Sequence, residues 1–366
     1  MRLRHFETLQ PVCPACRTSG ESGTPLKIAQ VLREEAGHLV EGILLCTNAN
    51  CLREFPIIDG IPLIVAHIRQ YIADNILAIC GRRDLSEEIE SMLGDCCAPA
   101  SAFDVARQHL SSYTWDHYAD LDPSEPIGEP RPGSMLRTLK FGLQMAEPIP
   151  QGPVIDVGCS VGRATFALAE HSAELVLGVD LNFPMLRMAS EILRHGTVRY
   201  PRRRVGLVYD RREFPAPFAQ RENVDFWACD VTALPFPAGK FSLAANMNVF
   251  DSVYSPREML LSISRILQPG GKLILACPYD WSTSATPLEA WVGGHSQRSP
   301  NAGASDAVLR SLLTAGAHPS SIADLALMAE RDQLPWHVRL HDRSTVTYKA
   351  HLVVATRTQP LLTAAK

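Results

Sequence analysis

The chain has 366 residues, 46% hydrophobic and 20% charged. That is ample material for a buried core and excludes a disordered or collagen-like protein. Thirty-five basic residues against 39 acidic ones give a net charge of −4, so no global basic field points to a nucleic-acid partner.

No stretch reaches the ~18 apolar residues of a membrane span, and the first residues lack a signal-peptide run. A soluble, cytoplasmic protein is expected. In that setting the ten cysteines are expected to be thiols or metal ligands rather than disulfides. Composition leaves the oligomeric state open.

Punctuation divides the chain into residues 1–68, 69–149 and 150–366. The first part holds four cysteines and short apolar runs. The second opens with helical spacing (Ile68, Tyr71, Ile72, Ile76, Leu77) and ends in a stretch rich in proline and acid. From Pro153, short β-rich runs alternate with helical ones, the pattern of a parallel sheet wrapped by helices. Strands are predicted over 154–157, 175–179, 224–229, 241–247 and 272–277, and helices over 164–170, 184–193 and 255–267. The last helix is stopped by Pro269-Gly270-Gly271. Runs at 336–340 and 346–355 have no helix between them, which predicts an antiparallel hairpin on the sheet edge.

The first chemical pattern is Cys13-Pro-Ala-Cys16, then 29 residues, then Cys46 and Cys51 around a four-residue gap. Two close pairs on separate turns supply the four thiolates of a zinc tetrahedron. A domain of this size also lacks the core to stand alone, so a metal would supply much of its folding energy. The alternative is four buried, unliganded cysteines. The segment ending Phe55-Pro-Ile-Ile-Asp-Gly-Ile-Pro62 resembles the Trm112-like zinc ribbons over residues 10–66. The resemblance implies a structural or docking role and zinc held by Cys13, Cys16, Cys46 and Cys51.

The second pattern is Val154-Ile-Asp-Val-Gly-Cys-Ser-Val-Gly-Arg-Ala-Thr165, a strand, a glycine turn and a helix start. Gly158 permits the sharp turn, and Gly162 lets the helix approach a ligand closely. A glycine loop alone is weak evidence, since dinucleotide folds carry similar ones. Three further segments accompany it: Gly178-Val-Asp180, Cys229-Asp230-Val231, and Pro269-Gly-Gly-Lys272. The set resembles the class I S-adenosylmethionine-dependent methyltransferases. This implies an α/β, Rossmann-like, seven-stranded fold preceded by the small ribbon. It also implies that Asp156 and Gly158 face the methionine end of the cofactor, Asp180 the ribose, and Asp230 with Val231 the adenine, with Cys159, Gly162 and Leu181 among the cofactor-binding residues. Asn246, at the end of the fourth strand, falls where that family faces the cofactor sulfur and the substrate.

A narrower likeness runs through Ala244 to Pro256, Cys277 to Trp281, Thr286 to Gly294 and His337 to Arg343. These segments resemble the methyltransferase domain of ovothiol-biosynthesis enzymes over roughly residues 150–357. The resemblance implies methylation of a nitrogen, or by extension a sulfur, of a histidine-derived or other heterocyclic small molecule. Residues at the carboxyl ends of the fourth and fifth strands would then wall the acceptor site. Tyr279 and His295 are the candidate catalytic groups, able to accept a proton or hydrogen-bond a polar ring. Trp281 and Trp291 are candidate walls, and His337 and Arg339 candidate carboxylate binders. For each, plain packing or a surface ion pair is the competing reading. Tyr113 and Tyr118, in an aromatic cluster ahead of the core, are candidate lid residues or ordinary core.

The stretch 195–223 carries seven arginines against three acids, Arg202, Arg203 and Arg204 among them. It reads as a substrate lid or solvated loop, or else as an RNA patch. The expected partner is therefore a small methyl acceptor. The alternative is an RNA- or protein-modifying methyltransferase that grips a macromolecule with the ribbon and this loop.

Overall fold

The computed structural model describes residues 1–17 and 23–358; the end of the expected third part, 359–366, lies outside them. A short helix, α1 (Leu3–Leu9), leads into four antiparallel strands, β1 (Leu26–Glu35), β2 (His38–Cys46), β3 (Glu54–Ile58) and β4 (Ile61–Ile64). Helices α2 (Ile68–Cys80), α3 (Glu87–Cys96), α4 (Ala102–Tyr118) and α5 (Ser134–Ala146) follow. Alternation then begins with β5 (Val154–Val157), α6 (Arg163–Glu170), β6 (Val176–Asp180) and α7 (Phe183–His195). A hairpin, β7 (Thr197–Val205) and β8 (Val208–Pro215), interrupts it before β9 (Val224–Cys229). The chain continues through β10 (Phe241–Met247), α8 (Pro256–Ile266), β11 (Leu267–Cys277), α9 (Ser305–Leu312), β12 (Leu325–His341) and β13 (Ser344–Arg357).

Local chemistry explains the boundaries. Asn182 and Ser255 accept the amides of Met185 and Glu258 at the starts of α7 and α8, each helped by a proline in the first turn. Gly196, in the left-handed region, ends α7. Strands β5, β9 and β10 are buried along their whole length, which is why they read as unbroken apolar runs rather than as alternations.

The order across the sheet is β1-β2-β3-β4-β9-β6-β5-β10-β11-β13-β12. The strands from β4 to β11 through β9, β6, β5 and β10 pair in parallel, while β13 is antiparallel to both β11 and β12. The sheet thus has eleven strands, four more than the seven that residues 154–357 contribute to it. The reason is the N-terminal segment: β4 lies parallel to β9, with Leu63 opposite Ala228 and Ile64 opposite Cys229, so the four N-terminal strands extend the central sheet. Their apolar residues Phe6, Leu39, Leu44 and Phe55 share one core with Trp227, Phe236 and Phe250. A segment this short shares a neighbour's core because it cannot build its own. The other face of the sheet packs Leu139, Phe166, Phe183 and Phe226 beneath α5, α6 and α7.

The hairpin β7–β8 also differs from the expected loop. Val198 and Tyr200 are buried while Arg199 is exposed, a strand-like alternation that pins the ribbon of arginines against α4. No helix of the described residues is long and apolar enough to cross a membrane.

Candidate active site

Above the carboxyl ends of β5, β6 and β10 lies a cavity of about 250 Å³. One half is built mainly from backbone. Gly158 has φ +81°, and a Cβ there would stand 2.4 Å from Cγ2 of Val249. At Gly162, φ is +92° and a Cβ would meet Phe226 and Ala189 at 2.7 and 2.8 Å. Both positions therefore need glycine. Ser160 sits in the left-handed region too (φ +51°); its amide donates to Oδ2 of Asp180 at 2.8 Å, and its hydroxyl touches Sδ of Met185 at 3.2 Å. Oδ1 of Asp180 accepts the Asn182 amide at 2.8 Å. Asp156 is buried and accepts the Thr165 hydroxyl at 2.7 Å. Burial pushes its carboxyl up to about 7 and that of Asp180 upward as well.

Of the cofactor residues expected from sequence, Asp156, Gly158, Cys159 and Asp180 line this cavity. Gly162 starts α6 just behind it. Leu181, Asp230, Val231 and Asn246 are not on its lining. The Leu181 carbonyl accepts the Tyr71 hydroxyl at 3.0 Å. Oδ1 of Asp230 accepts the amide and hydroxyl of Thr232 at 2.9 and 2.6 Å. Asn246 donates to the Val157 carbonyl at 2.9 Å, bracing the strand under the loop, and its buried Oδ1 has no partner among the described residues.

The other half is walled by side chains from distant segments. His109, Ser112, Tyr113, Asp116 and His117 come from α4, Met135 from α5, and Trp336 and Val338 from β12. Asn248 and Ser252, after β10, close the side. Tyr113 is among the residues that line the cavity. Tyr118 is instead core: its hydroxyl donates to the Val161 carbonyl at 2.7 Å, which ties α4 to the glycine loop. Sequence reasoning missed His117, Asp116 and Trp336. The spacing of His109, Tyr113 and His117 was the available signal, since residues four apart share a helix face.

Tyr279 and His295 do not line the cavity. Tyr279 adopts φ +59°, and its hydroxyl lies 2.7 Å from Nδ1 of the buried His351. The ring is thereby committed to β13. His295 Nδ1 lies 3.1 Å from the Gly293 carbonyl in its own loop. Trp281 and Trp291 stack on each other, centroids 5.9 Å apart, and each indole N–H is used, on Ser305 and on the Thr286 carbonyl. His337 lies against the Thr347 hydroxyl on the exposed hairpin. Arg339 pairs with Glu125 at 3.0 Å and lies over Trp115.

Residues 155–275, which hold β5 to β11 and the glycine loop, match the family model of a methyltransferase domain. The chain carries an S-adenosylmethionine-dependent methyltransferase domain of class I. A ubiquinone biosynthesis O-methyltransferase of Coxiella burnetii is 22% identical over 175 residues, 47% of this chain and 64% of that protein. Phosphoethanolamine N-methyltransferase 3 of Arabidopsis thaliana is 25% identical over 140 residues, 38% of this chain and 24% of the plant protein. A solved S-adenosylmethionine-dependent methyltransferase of Methanosarcina mazei is 18% identical, covering 57% of this chain and 93% of that one, with a TM-score of 0.36. The chain spans less than two thirds of the length of these curated relatives.

Two further clusters border the methyltransferase domain. The sulfurs of Cys13, Cys16, Cys46 and Cys51 all lie within 4.8 Å of one another, with Cys13–Cys51 at 4.0 Å and Cys16–Cys46 at 3.7 Å. A tetrahedron of sulfurs ~2.3 Å from a central zinc has edges of about 3.8 Å, so the four fit that ion. Backbone amides of Cys16, Asn48 and Arg53 point at Cys13, Cys46 and Cys51, and the Asn48 amide donates to Cys16. Such N–H groups suit thiolates bound to a cation.

The second cluster is the arginine hairpin. Arg202 pairs with Asp210, Arg204 with Asp210 and Asp342, Arg211 with Glu90, and Arg212 with Asp122. These charges tie β7–β8 to α3, the segment after α4, and the β12–β13 turn.

Proposed function

We propose that the protein transfers the methyl group of S-adenosylmethionine to a nitrogen or sulfur of a small molecule, a histidine-derived or other heterocyclic metabolite, and that its N-terminal strands hold one structural zinc. The observation that carries the reading is the cavity itself. Its backbone-built half suits the cofactor and its aromatic half suits a flat acceptor. Each Asp180 oxygen accepts a single amide at the cavity wall, which leaves lone pairs for ribose hydroxyls. Asp156, Gly158, Cys159 and Gly162 would hold the methionine end. Leu181, Asp230 and Val231, at the ends of β6 and β9, are assigned the ribose and adenine side, and Asn246 supports the loop from below.

Bound there, S-adenosylmethionine supplies an electrophilic methyl that leaves without the C–S electron pair, while the acceptor's lone pair forms the new bond. The chain's own residues orient the acceptor and exclude water. A nitrogen or sulfur acceptor asks least of the acceptor half, where burial lowers His117 to about 3 and raises Asp116, which accepts the amides of Ser134 and Met135, to about 6. A hydroxyl must shed its proton to attack well, whereas a neutral nitrogen or a thiolate already offers its pair. The paired state of four hairpin arginines favours a small acceptor over RNA, because a phosphate would have to displace an existing carboxylate.

Calorimetry with S-adenosylhomocysteine, followed by a turnover screen of amino-acid-derived heterocycles against bulk tRNA, tests this. Cofactor binding and turnover on a heterocycle are expected. Tight tRNA binding with a steep salt slope, or turnover on tRNA alone, would overturn the small-acceptor reading. Elemental analysis should find one zinc per chain, and a metal-free protein with intact β1–β4 would remove the zinc.

A further inference from the structure

Resting on the methyltransferase reading above, we propose that His117 selects the methyl acceptor. An uncharged flat ring lies between Tyr113 and Trp336 and donates a hydrogen bond from its N–H or O–H to the His117 imidazole.

Helix α4 turns several polar groups inward. Asp116 is employed at the start of α5, where it accepts two amides at 2.7 and 3.1 Å. The Thr114 hydroxyl meets Sδ of Met188 at 3.4 Å, and the Tyr118 hydroxyl donates to the Val161 carbonyl. His117 is the exception. Its residue is only 6% exposed and it lines the cavity; among the described residues neither ring nitrogen has a hydrogen-bond partner, and since Nδ1 is enclosed by protein, Nε2 is the one a ligand can reach. Buried polar atoms are almost always paired, and an orphan inside a cleft marks a place where a ligand supplies the partner.

The chemistry of the surroundings sets the class of ligand. Burial, with the Arg163 guanidinium nearby, keeps His117 neutral, down to about 3. A neutral imidazole offers one N–H and one lone pair and no net charge; with the N–H on the enclosed Nδ1, the lone pair of Nε2 faces the cavity and recognises a donor group rather than a carboxylate. Tyr113 and Trp336 supply aromatic faces, and Met135, Met247 and Val338 complete an apolar wall. Such a slot suits a ring more than a flexible charged chain.

The test uses the whole chain, labelled with ¹⁵N-histidine and saturated with S-adenosylhomocysteine, whose affinity is first measured by calorimetry. Imidazole and phenol are the probes, and 1-methylimidazole, which has no N–H, is the control. The His117 signals are assigned by their loss in His117→Gln. One of them is expected to move saturably with imidazole or phenol. The control should bind at least about tenfold more weakly, as is usual when a site built for a donor loses it. His117→Ala should weaken the best probe about tenfold or more while S-adenosylhomocysteine affinity stays within about twofold in both variants.

A His117 signal that ignores both probes overturns the proposal, as does probe affinity unchanged in His117→Ala. If both variants lose S-adenosylhomocysteine affinity together with thermal stability, His117 is a packing residue and the proposal fails. Failure of the unsubstituted chain to bind S-adenosylhomocysteine is a different result: it removes the methyltransferase reading, and this inference with it.

Discussion

The two halves of the cavity are made by different means. The half at β5 and β6 is a backbone structure: two glycines with positive φ, a left-handed Ser160, and amides held by Asp180. The half opposite is a side-chain structure, assembled from the neighbouring helices α4 and α5 and from β12, which comes far later in the chain. A backbone loop tolerates few substitutions, because a single Cβ fills it. A side-chain wall can be repainted without moving the chain, so it is the half in which the choice of acceptor can vary between proteins sharing this domain.

The largest expected effect strikes the backbone half. Gly158→Arg forces a side chain into a position where even a Cβ stands 2.4 Å from Val249, at a φ that suits only glycine. Affinity for S-adenosylhomocysteine, read by calorimetry, should fall by at least about 100-fold, equivalent to roughly 2.7 kcal/mol. Unchanged affinity would show that the loop is not the cofactor site and would erase the distinction between the halves.

The N-terminal strands offer the next effect, because they border the backbone half without lining it. Cys13→Ser with Cys46→Ser removes two of the four clustered sulfurs. If they hold zinc, loss of the metal should release β1–β4 and expose the edge of β9, lowering Tm by on the order of 10 °C. Cofactor affinity should fall less than in Gly158→Arg. A double variant with unaltered Tm would make the cysteines ordinary core residues.

A pH test sharpens the backbone half further. Asp156 has its carboxyl raised from 3.8 to about 7 by burial. The folded chain therefore holds a proton that the unfolded chain has lost, and this contribution is fully present below pH ~4 and disappears as pH rises through ~7. Asp156→Asn keeps an oxygen for the Thr165 hydroxyl and cannot ionise. The variant's Tm relative to the unsubstituted chain should therefore rise between pH 5 and pH 8, by up to the equivalent of about 3 kcal/mol. A difference independent of pH would mean that Asp156 is an ordinary carboxylate.

What the sequence disclosed follows the same division. The strands expected at 154–157, 224–229 and 241–247 are β5, β9 and β10 to the residue, because strands buried on both faces leave unbroken apolar runs. The glycine loop and Asp180 were legible because backbone geometry dictates residue type there. The joining of β4 to β9 was not, since strand pairing depends on which edge is free and leaves no local mark. The hairpin β7–β8 was hidden by its arginines: Val198 and Tyr200 alternate as a strand should, but Pro201 and Arg202 to Arg204 give the segment the look of a loop. The acceptor wall was expected at the ends of β10 and β11, the latter with Tyr279, Trp281 and Trp291 close behind. Asn248 and Ser252 after β10 do line the cavity, but the rest of that side comes from α4, α5 and β12, because a residue's distance along the chain from a strand end does not say which way its side chain turns.

Tyr279 gives the smallest effect and the finest cut between the halves. Its backbone turns at φ +59° and sends the ring to His351, whose Nε2 lies 3.1 Å from Glu330. Burial raises the phenol well above its usual range, so near neutral pH it keeps its proton and is no base. Tyr279→Phe removes one hydroxyl and leaves the ring in place. The cost should be that of one partly buried hydrogen bond, about 1 kcal/mol, or a Tm shift of roughly 2–4 °C. S-adenosylhomocysteine affinity and methyl transfer should both stay within about twofold, since the hydroxyl faces β13 and not the cavity. A turnover loss of ten-fold or more at unchanged Tm would move Tyr279 into the acceptor half, and it would mean that the loop after β11 swings over the cavity when substrate is bound.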